Sequence, residues 1–182
     1  MPLNTIPRIF LVGPMGAGKT TVGRRLAQAL RRDFIDSDQE IEQRAGARIP
    51  LIFEVEGEAG FRAREKVVIA ELTQRPAIVL ATGGGAILDP ENRRCLVGRG
   101  FVVYLHTSVN EQLCRTRYDN HRPLLQTADP RARLEALFTV RDPLYRDVAD
   151  LTIASDGQSP RAIIQRILKH IQEDSPCFIP AP

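Results

Sequence analysis

Short apolar runs alternate with amphipathic stretches along most of the chain. Five such runs predict buried strands, at residues 8–12, 33–36, 77–81, 101–105 and 151–154. Between them, apolar residues recur three or four positions apart, which is the spacing of one helix face. Strands that alternate with helices form a parallel sheet covered by helices on both faces. We therefore expect a three-layer αβα domain around a central five-stranded parallel sheet.

Cap and breaker residues divide the helical stretches further. Gly57 is expected to break one helix, and Pro143 to break or kink a later one. Ser108 and Glu111 have the spacing of a capping box, which predicts a helix start at this point. The segment 119–130 has little helical or strand pattern and is long for a loop in a compact α/β domain. This segment is a candidate lid over a ligand site.

Residues 13–20 read Gly-Pro-Met-Gly-Ala-Gly-Lys-Thr and match the phosphate-binding loop G-x-x-x-x-G-K-[ST] at every fixed position. A predicted strand precedes the motif and a predicted helix follows it, which is the setting the motif requires. The glycines allow the backbone N–H groups to turn inward around an anion. Lys19 is expected to reach the outer phosphates of a nucleotide, and Thr20 to ligate Mg²⁺.

Composition favours a small anionic ligand. The chain has 182 residues and a net charge of +3, and most of its 25 basic residues are arginines, which make bidentate contacts to phosphate and carboxylate. Basic runs never exceed two residues, so a nucleic-acid partner is less favoured. The three cysteines lack metal-ligand spacing, the N-terminus lacks a signal peptide's apolar core, and no apolar run approaches membrane-spanning length. We therefore expect a cytoplasmic protein without a membrane partner.

Two carboxylates follow the second predicted strand. Ligands of open parallel sheets bind beyond the carboxyl ends of the strands, where Asp36 and Asp38 are expected to lie. Many phosphate-loop enzymes place an acid for Mg²⁺ after another apolar strand, but the run 77–81 is followed by Thr82 and glycine. We expect one of the two aspartates to face the metal and the other a different partner. The alternative is that Asp38 only caps the helix that follows it.

Gly83, Gly84 and Gly85 come directly after the run 77–81. They would allow a ligand to lie against backbone N–H groups, or they would form only a flexible turn, and the residues alone favour neither. Arg122 lies in the candidate lid, where an arginine can stabilise charge on a transferring phosphoryl group. Most arginines, however, are solvated surface residues.

Together these residues resemble the shikimate kinases, over about residues 8–171. The matching segments are residues 13–23, Asp36-Ser37-Asp38, the run from Phe53 through Gly57-Glu58 and Phe61-Arg62 to Glu65, Gly83-Gly84-Gly85-Ala86, Arg122-Pro123-Leu124-Leu125, and Arg141 through Pro143-Leu144-Tyr145. The resemblance implies ATP-dependent phosphorylation of the 3-hydroxyl of shikimate, with ATP and Mg²⁺ as cofactors. It also implies a P-loop NTPase fold like that of the nucleoside monophosphate kinases.

The resemblance implies a role for each matching position. Residues implied to hold ATP are Gly16, Ala17, Gly18, Lys19, Thr20, Thr21, Arg115, Arg122 and Gln158. Residues implied to hold shikimate are Asp38, Arg62, Gly83, Gly84, Gly85 and Arg141, of which the two arginines clamp its carboxylate. Lys19, Asp38 and Arg122 are implied to be catalytic, and Thr20 and Asp36 to hold the metal.

The expected organisation is one kinase domain over residues 1–172, acting as a monomer on ATP and shikimate. It carries a lid at about 117–130 and substrate-binding helices at about 38–64, and 173–182 form a disordered tail. Two other functions stay open. One is another small-molecule kinase of this fold, such as a gluconate or nucleoside monophosphate kinase, whose anionic substrate would also suit the arginines. A regulatory module that binds ATP without transferring phosphate is the alternative from another class.

Overall fold

Five strands form a single sheet in which every pairing is parallel. The computed structural model describes residues 8–116 and 127–174. The strands are β1 Ile9–Val12, β2 Asp33–Asp36, β3 Ile78–Ala81, β4 Phe101–His106 and β5 Leu151–Ala154. Their order across the sheet is β2-β3-β1-β4-β5. The predicted five-stranded parallel sheet is confirmed, with strand bounds within one residue of those expected.

Helices connect the strands and cover both faces of the sheet. They are α1 Lys19–Leu30, α2 Ser37–Ala45, α3 Ile49–Leu72, α4 Pro90–Arg99, α5 Val109–Thr116, α6 Pro130–Val148 and α7 Pro160–Asp174. Within the part of the chain that is described, no helix is both long and apolar enough to cross a bilayer. Residues 117–126 lie outside the described residues, and so does the tail beyond Asp174. Most of the predicted lid and most of the predicted tail are therefore not described.

The alternation of side chains along β1 divides the core into two parts. Phe10 and Val12 belong to a cluster with α3, α4 and α6, whereas Ile9 and Leu11 belong to a cluster with α1 and α7. Successive side chains of a strand point to opposite faces, so a strand with all its residues buried needs cover on both sides. All four β1 residues are buried. The three-layer arrangement follows from this double burial.

Two local predictions need correction. Helix α6 continues through Pro143, so the predicted break is wrong, whereas the kink stays a prediction. The helix is held by packing of its buried side chains as well as by its backbone bonds. At the start of α5, the Ser108 hydroxyl accepts from the Glu111 N–H at 3.3 Å, but the Glu111 carboxylate pairs with Arg115. The Ser108 N–H donates instead to the Asp156 carboxylate. Only one half of the predicted capping box forms.

The break at Gly57 is confirmed. Its backbone has φ 70° and ψ 179° inside α3, so that two helical segments meet there. The predicted substrate-binding helices at 38–64 correspond to α2 and the first part of α3. Because β1 and β3 are neighbours and β2 pairs with β3, the phosphate loop, the start of α2 and the glycine run all emerge at the same edge of the sheet.

Candidate functional site

A cleft of about 560 Å³ opens where these three loops meet. The phosphate loop forms one side, and α2, α3, the glycine run and one residue of α6 form the other. The predicted site residues that line it are Gly16, Gly18, Lys19, Thr20, Thr21, Asp36, Asp38, Arg62, Gly83, Gly84, Gly85 and Arg141. The fold therefore gathers into one cavity residues that lie more than a hundred positions apart in the sequence.

The phosphate loop depends on backbone conformations that favour glycine. Gly13, Gly16 and Gly18 have φ values of 145°, 76° and 86°, and side-chain-bearing residues rarely adopt such values. A Cβ on Gly13 would also lie 2.5 Å from the Leu105 carbonyl oxygen. Gly18 is the N-cap of α1, so the positive end of that helix faces the loop. Ala17 is fully buried and is not among the residues that line the cleft, and its N–H donates to the Pro14 carbonyl oxygen at 3.3 Å.

The Lys19 ammonium group lies over the loop that precedes it. Nζ donates to the carbonyl oxygens of Gly13 and Pro14, both at 2.7 Å. These bonds hold a positive charge at the centre of the loop, where inward-facing N–H groups and a helix N-terminus already favour an anion. The arrangement is a polyphosphate-binding site by its chemistry.

Asp36 connects the phosphate loop to α2. Its Oδ2 accepts from the Thr20 hydroxyl at 2.7 Å, and its Oδ1 accepts from the N–H groups of Asp38 and Gln39 at 3.0 and 3.5 Å. Asp36 is therefore the N-cap of α2, and the alternative that Asp38 serves only as that cap is wrong. The adjacent hydroxyl and carboxylate oxygens are hard ligands of the kind Mg²⁺ takes from a protein when phosphates and water supply the rest.

The glycine run allows close approach of three charged side chains. A Cβ on Gly83 would meet Asp38 Oδ1 and would lie 2.9 Å from Glu65 Oε1, and one on Gly85 would lie 2.5 Å from Cζ of Arg62. The Gly83 N–H donates to the buried Ser37 hydroxyl at 2.9 Å. These contacts explain why residues 83–85 lack side chains, and a ligand lying against their N–H groups stays a prediction.

Two arginines face the cleft from different helices. Arg62 donates to Glu65 at 2.7 Å and to Glu58 at 3.1 Å, and these carboxylates raise its pKa although burial opposes them. Arg141 has an exposed fraction of only 5%, and burial lowers its pKa. The Nε atoms of both arginines are buried without a hydrogen-bond partner among the described residues. Buried charged groups normally have partners: Arg62 has two carboxylates, and Arg141 interacts with the Tyr145 hydroxyl.

Glu65 lines the cleft, and Tyr145 is buried against the glycine run; sequence reasoning gave neither a role. Glu65 is 1% exposed, burial raises its pKa, and its Oε1 has no partner in residues 8–116 and 127–174. Tyr145 donates its phenolic hydrogen to the Gly84 carbonyl oxygen. The available signal was helical spacing, since Glu65 lies three residues after Arg62 and Tyr145 four residues after Arg141.

Arg115 and Gln158 lie outside the lining of the cleft, beyond the phosphate loop. Arg115 donates to the carbonyl oxygens of Gly16 at 2.9 Å and Ser155 at 3.2 Å. The Gln158 N–H donates to the Ser155 carbonyl oxygen at 3.3 Å. Arg115 thus joins the phosphate loop to the loop after β5, while Arg122 lies outside the described residues.

Comparisons with known proteins agree with one another. The family model described as "SKI: Shikimate kinase" matches residues 15–172. A shikimate kinase of Halorhodospira halophila is 59% identical over 169 residues, which cover 93% of this chain and 96% of that protein. The solved structure of shikimate kinase from Acinetobacter baumannii in complex with shikimate has a TM-score of 0.92 at 57% identity, covering 94% and 96% of the two chains. A gluconokinase from Sinorhizobium meliloti, with a TM-score of 0.63, 16% identity and 96% coverage of both chains, shares the fold alone.

Proposed function

The chain belongs to the shikimate kinase family, and we infer that its cleft is where ATP and shikimate meet. The enzyme phosphorylates the 3-hydroxyl of shikimate with ATP and gives shikimate 3-phosphate and ADP, a step in the biosynthesis of chorismate and the aromatic amino acids. The observation that carries this proposal is the cavity that joins a phosphate loop to two arginines, Arg141 buried and Arg62 half-buried. Phosphoryl transfer needs positioning and charge neutralisation more than covalent chemistry.

On the acceptor side, we propose that Arg62 and Arg141 bind the shikimate carboxylate. Guanidinium groups bind carboxylates in bidentate fashion, and a buried arginine without a full set of partners gains most from such a ligand. Arg62 keeps its position through Glu65 and Glu58. The glycine run, Gly83 to Gly85, leaves room for the ring beside these groups.

Asp38 is the proposed partner of the attacking hydroxyl. It lies in the first turn of α2 and lines the cleft beside Gly83. A carboxylate within hydrogen-bond reach of a hydroxyl orients the oxygen and takes its proton as the new O–P bond forms. The leaving ADP then takes the electrons of the broken bond, so that the charge moves towards the phosphate loop.

On the donor side, we propose that the loop amides, Lys19 and Thr21 hold the phosphates of ATP. Thr20 and Asp36 would hold Mg²⁺, which neutralises phosphate charge when bound. Arg115 and Gln158 are proposed to contact adenine, supported by their position beside the phosphate loop. Arg122 is proposed to close onto the phosphates from the lid.

ADP release measured with a panel of acceptors tests the proposed reaction. Purified full-length protein with ATP and Mg²⁺ should release ADP in step with shikimate 3-phosphate, and not with gluconate or nucleoside monophosphates. Turnover with gluconate but not shikimate would move the protein to a different acceptor. ATP binding without ADP release from any acceptor would support the regulatory alternative instead.

That the enzyme works as a monomer in the cytoplasm, without nucleic acid or membrane partners, is also part of the proposal. It is supported by a cleft whose two sides both come from one chain. Gel filtration with light scattering of the full chain tests the oligomeric state, and a stable dimer would contradict it.

A further inference from the structure

The phenol of Tyr145 joins helix α6 to the glycine run. Its hydroxyl donates to the Gly84 carbonyl oxygen, and the side chain is 1% exposed. Tyr145 follows Arg141 by one helical turn, so both side chains lie on the same face of α6. Helix α6 therefore carries both Arg141, which we propose binds the shikimate carboxylate, and the tyrosine that bonds to the glycine run.

Gly84 lies close to both halves of the cleft. An atom at its Cβ position would lie 3.6 Å from each of three groups: the Gly13 carbonyl oxygen, the Met15 nitrogen and the Tyr145 hydroxyl. The first two belong to the phosphate loop. Gly84 thus fits between the loop that binds the phosphoryl donor and the tyrosine that stands beside the acceptor arginine.

We propose that Tyr145 is a positioning residue, whose bond to Gly84 sets the distance between the acceptor hydroxyl and the phosphoryl group. This inference rests on the proposed function. The neighbours of Gly84 lie against two side chains that we propose bind shikimate: Gly83 against Asp38, and Gly85 against Arg62. A shift of Gly84 therefore moves the acceptor side relative to the phosphate loop, and a misplacement of about 1 Å can cost about a hundredfold in rate.

The Tyr145 ring is itself held rigidly. It stacks on Tyr104 with ring centroids 4.9 Å apart and an angle of 26° between the planes. The Tyr104 hydroxyl donates away from the glycine run, to Asp142 at 2.7 Å, so the stack itself holds the Tyr145 ring. Burial raises the pKa of Tyr145, so its phenol stays protonated and can donate across the range in which the enzyme works. A rigid donor holds Gly84 in one place.

Comparison of Tyr145→Phe with Tyr104→Phe tests the proposal. Each variant keeps the stacked ring and removes one phenolic hydroxyl. The Tyr145 hydroxyl bonds to Gly84 and interacts with Arg141, whereas the Tyr104 hydroxyl bonds to Asp142, outside the lining of the cleft. Loss of the Arg141 contact should change the KM for shikimate, and loss of the Gly84 bond should change kcat. We expect Tyr145→Phe to lower kcat by about tenfold to a hundredfold, with the KM for ATP within about twofold of wild type. Tyr104→Phe should leave kcat and both KM values within about twofold. Thermal denaturation of both variants shows whether their losses of stability are comparable.

Two results would overturn the inference. A kcat for Tyr145→Phe within about twofold of wild type would show that the bond to Gly84 does not position the reactants. An equal loss of kcat in both variants would show that the two tyrosine hydroxyls affect kcat only by stabilising the core. Wild-type turnover with shikimate tests the proposed function separately. The ratio of each variant to wild type, measured with whichever acceptor wild type uses, tests the positioning.

Discussion

Replacing Gly85 by alanine perturbs the proposed carboxylate site at its tightest contact. The added Cβ would lie 2.5 Å from Cζ of Arg62, whereas non-bonded carbons reach their best separation at about 3.5 Å. The guanidinium group must therefore retreat by about 1 Å, which its long side chain permits. Gly85 has φ −94° and ψ −9°, values that alanine adopts without strain. The substitution should spare the fold and displace the ligand-binding group.

Steady-state kinetics with each substrate varied in turn measures the effect. A displacement of about 1 Å in a positioning group can cost about a hundredfold, so we expect kcat/KM for shikimate to fall by about that factor. The KM for ATP should stay within about twofold, because the contact lies on the acceptor side of the cleft.

Gly98→Ala is the matched control. A Cβ at Gly98 would have no heavy atom within 4 Å, and Gly98 lies inside α4. Kinetics should be unchanged, and stability should rise by about 1 kcal/mol from the gain in helix propensity. If folded Gly85→Ala retained kcat/KM for shikimate within about threefold of wild type, Arg62 would not bind the substrate where we place it.

Three further predictions concern other charges of the cleft. Lys19→Ala should lower kcat by orders of magnitude with little change in melting temperature, and near-normal turnover would remove Lys19 from phosphate binding. Burial raises the pKa of Glu65 above its ordinary value of 4.5, so the native state binds that proton more tightly than the unfolded chain does. The contribution of Glu65 to the free energy of unfolding should therefore fall as pH rises from 4.5 through the raised pKa. Melting temperatures of wild type and Glu65→Gln, measured across that pH range, should show this fall in wild type only. If the two melting temperatures changed with pH in parallel, the prediction would be contradicted. Four carboxylates line the cleft, and the exposed Arg48 at the same cleft reduces its negative charge. Arg48→Gln should therefore lower kcat/KM for anionic shikimate at low salt, and less at high salt. Arg44→Gln, outside the cleft lining, should show no such salt dependence, and equal effects in both would exclude a local role.

Local sequence pattern was enough to predict most of the fold. The β1 run is apolar at every position because helices cover both of its faces, and this is the pattern that a buried parallel strand shows. The capping box failed for a tertiary reason. Asp156, some fifty positions after Ser108, takes the N–H that the Glu111 side chain would have accepted. No pattern within one helix contains that information.

Local sequence pattern predicted the site residues less completely than it predicted the fold. The phosphate loop is contiguous, so its residues and their conformations could be predicted from spacing and chemistry. Arg62 and Arg141 come together only because α3 and α6 border the same cleft. Nothing in their separation along the sequence predicts this, and the family resemblance alone singled them out. The roles of Glu65 and Tyr145 depend on burial and on a bond to a backbone carbonyl, neither of which the residue types reveal.

The donor side of the cleft uses mainly backbone groups and the acceptor side mainly side chains, and this difference affects substrate specificity. The donor side consists mainly of main-chain N–H groups and a helix N-terminus, which any nucleotide phosphate can use. The acceptor side depends mainly on side chains, as Glu65 pairs with Arg62 and Tyr145 donates to the Gly84 carbonyl oxygen. Substitutions on the acceptor side can therefore change which hydroxyl is presented without disturbing phosphate binding. Because Gly84 also lies close to the phosphate loop, a change on one side of the cleft should alter the distance over which the phosphoryl group is transferred.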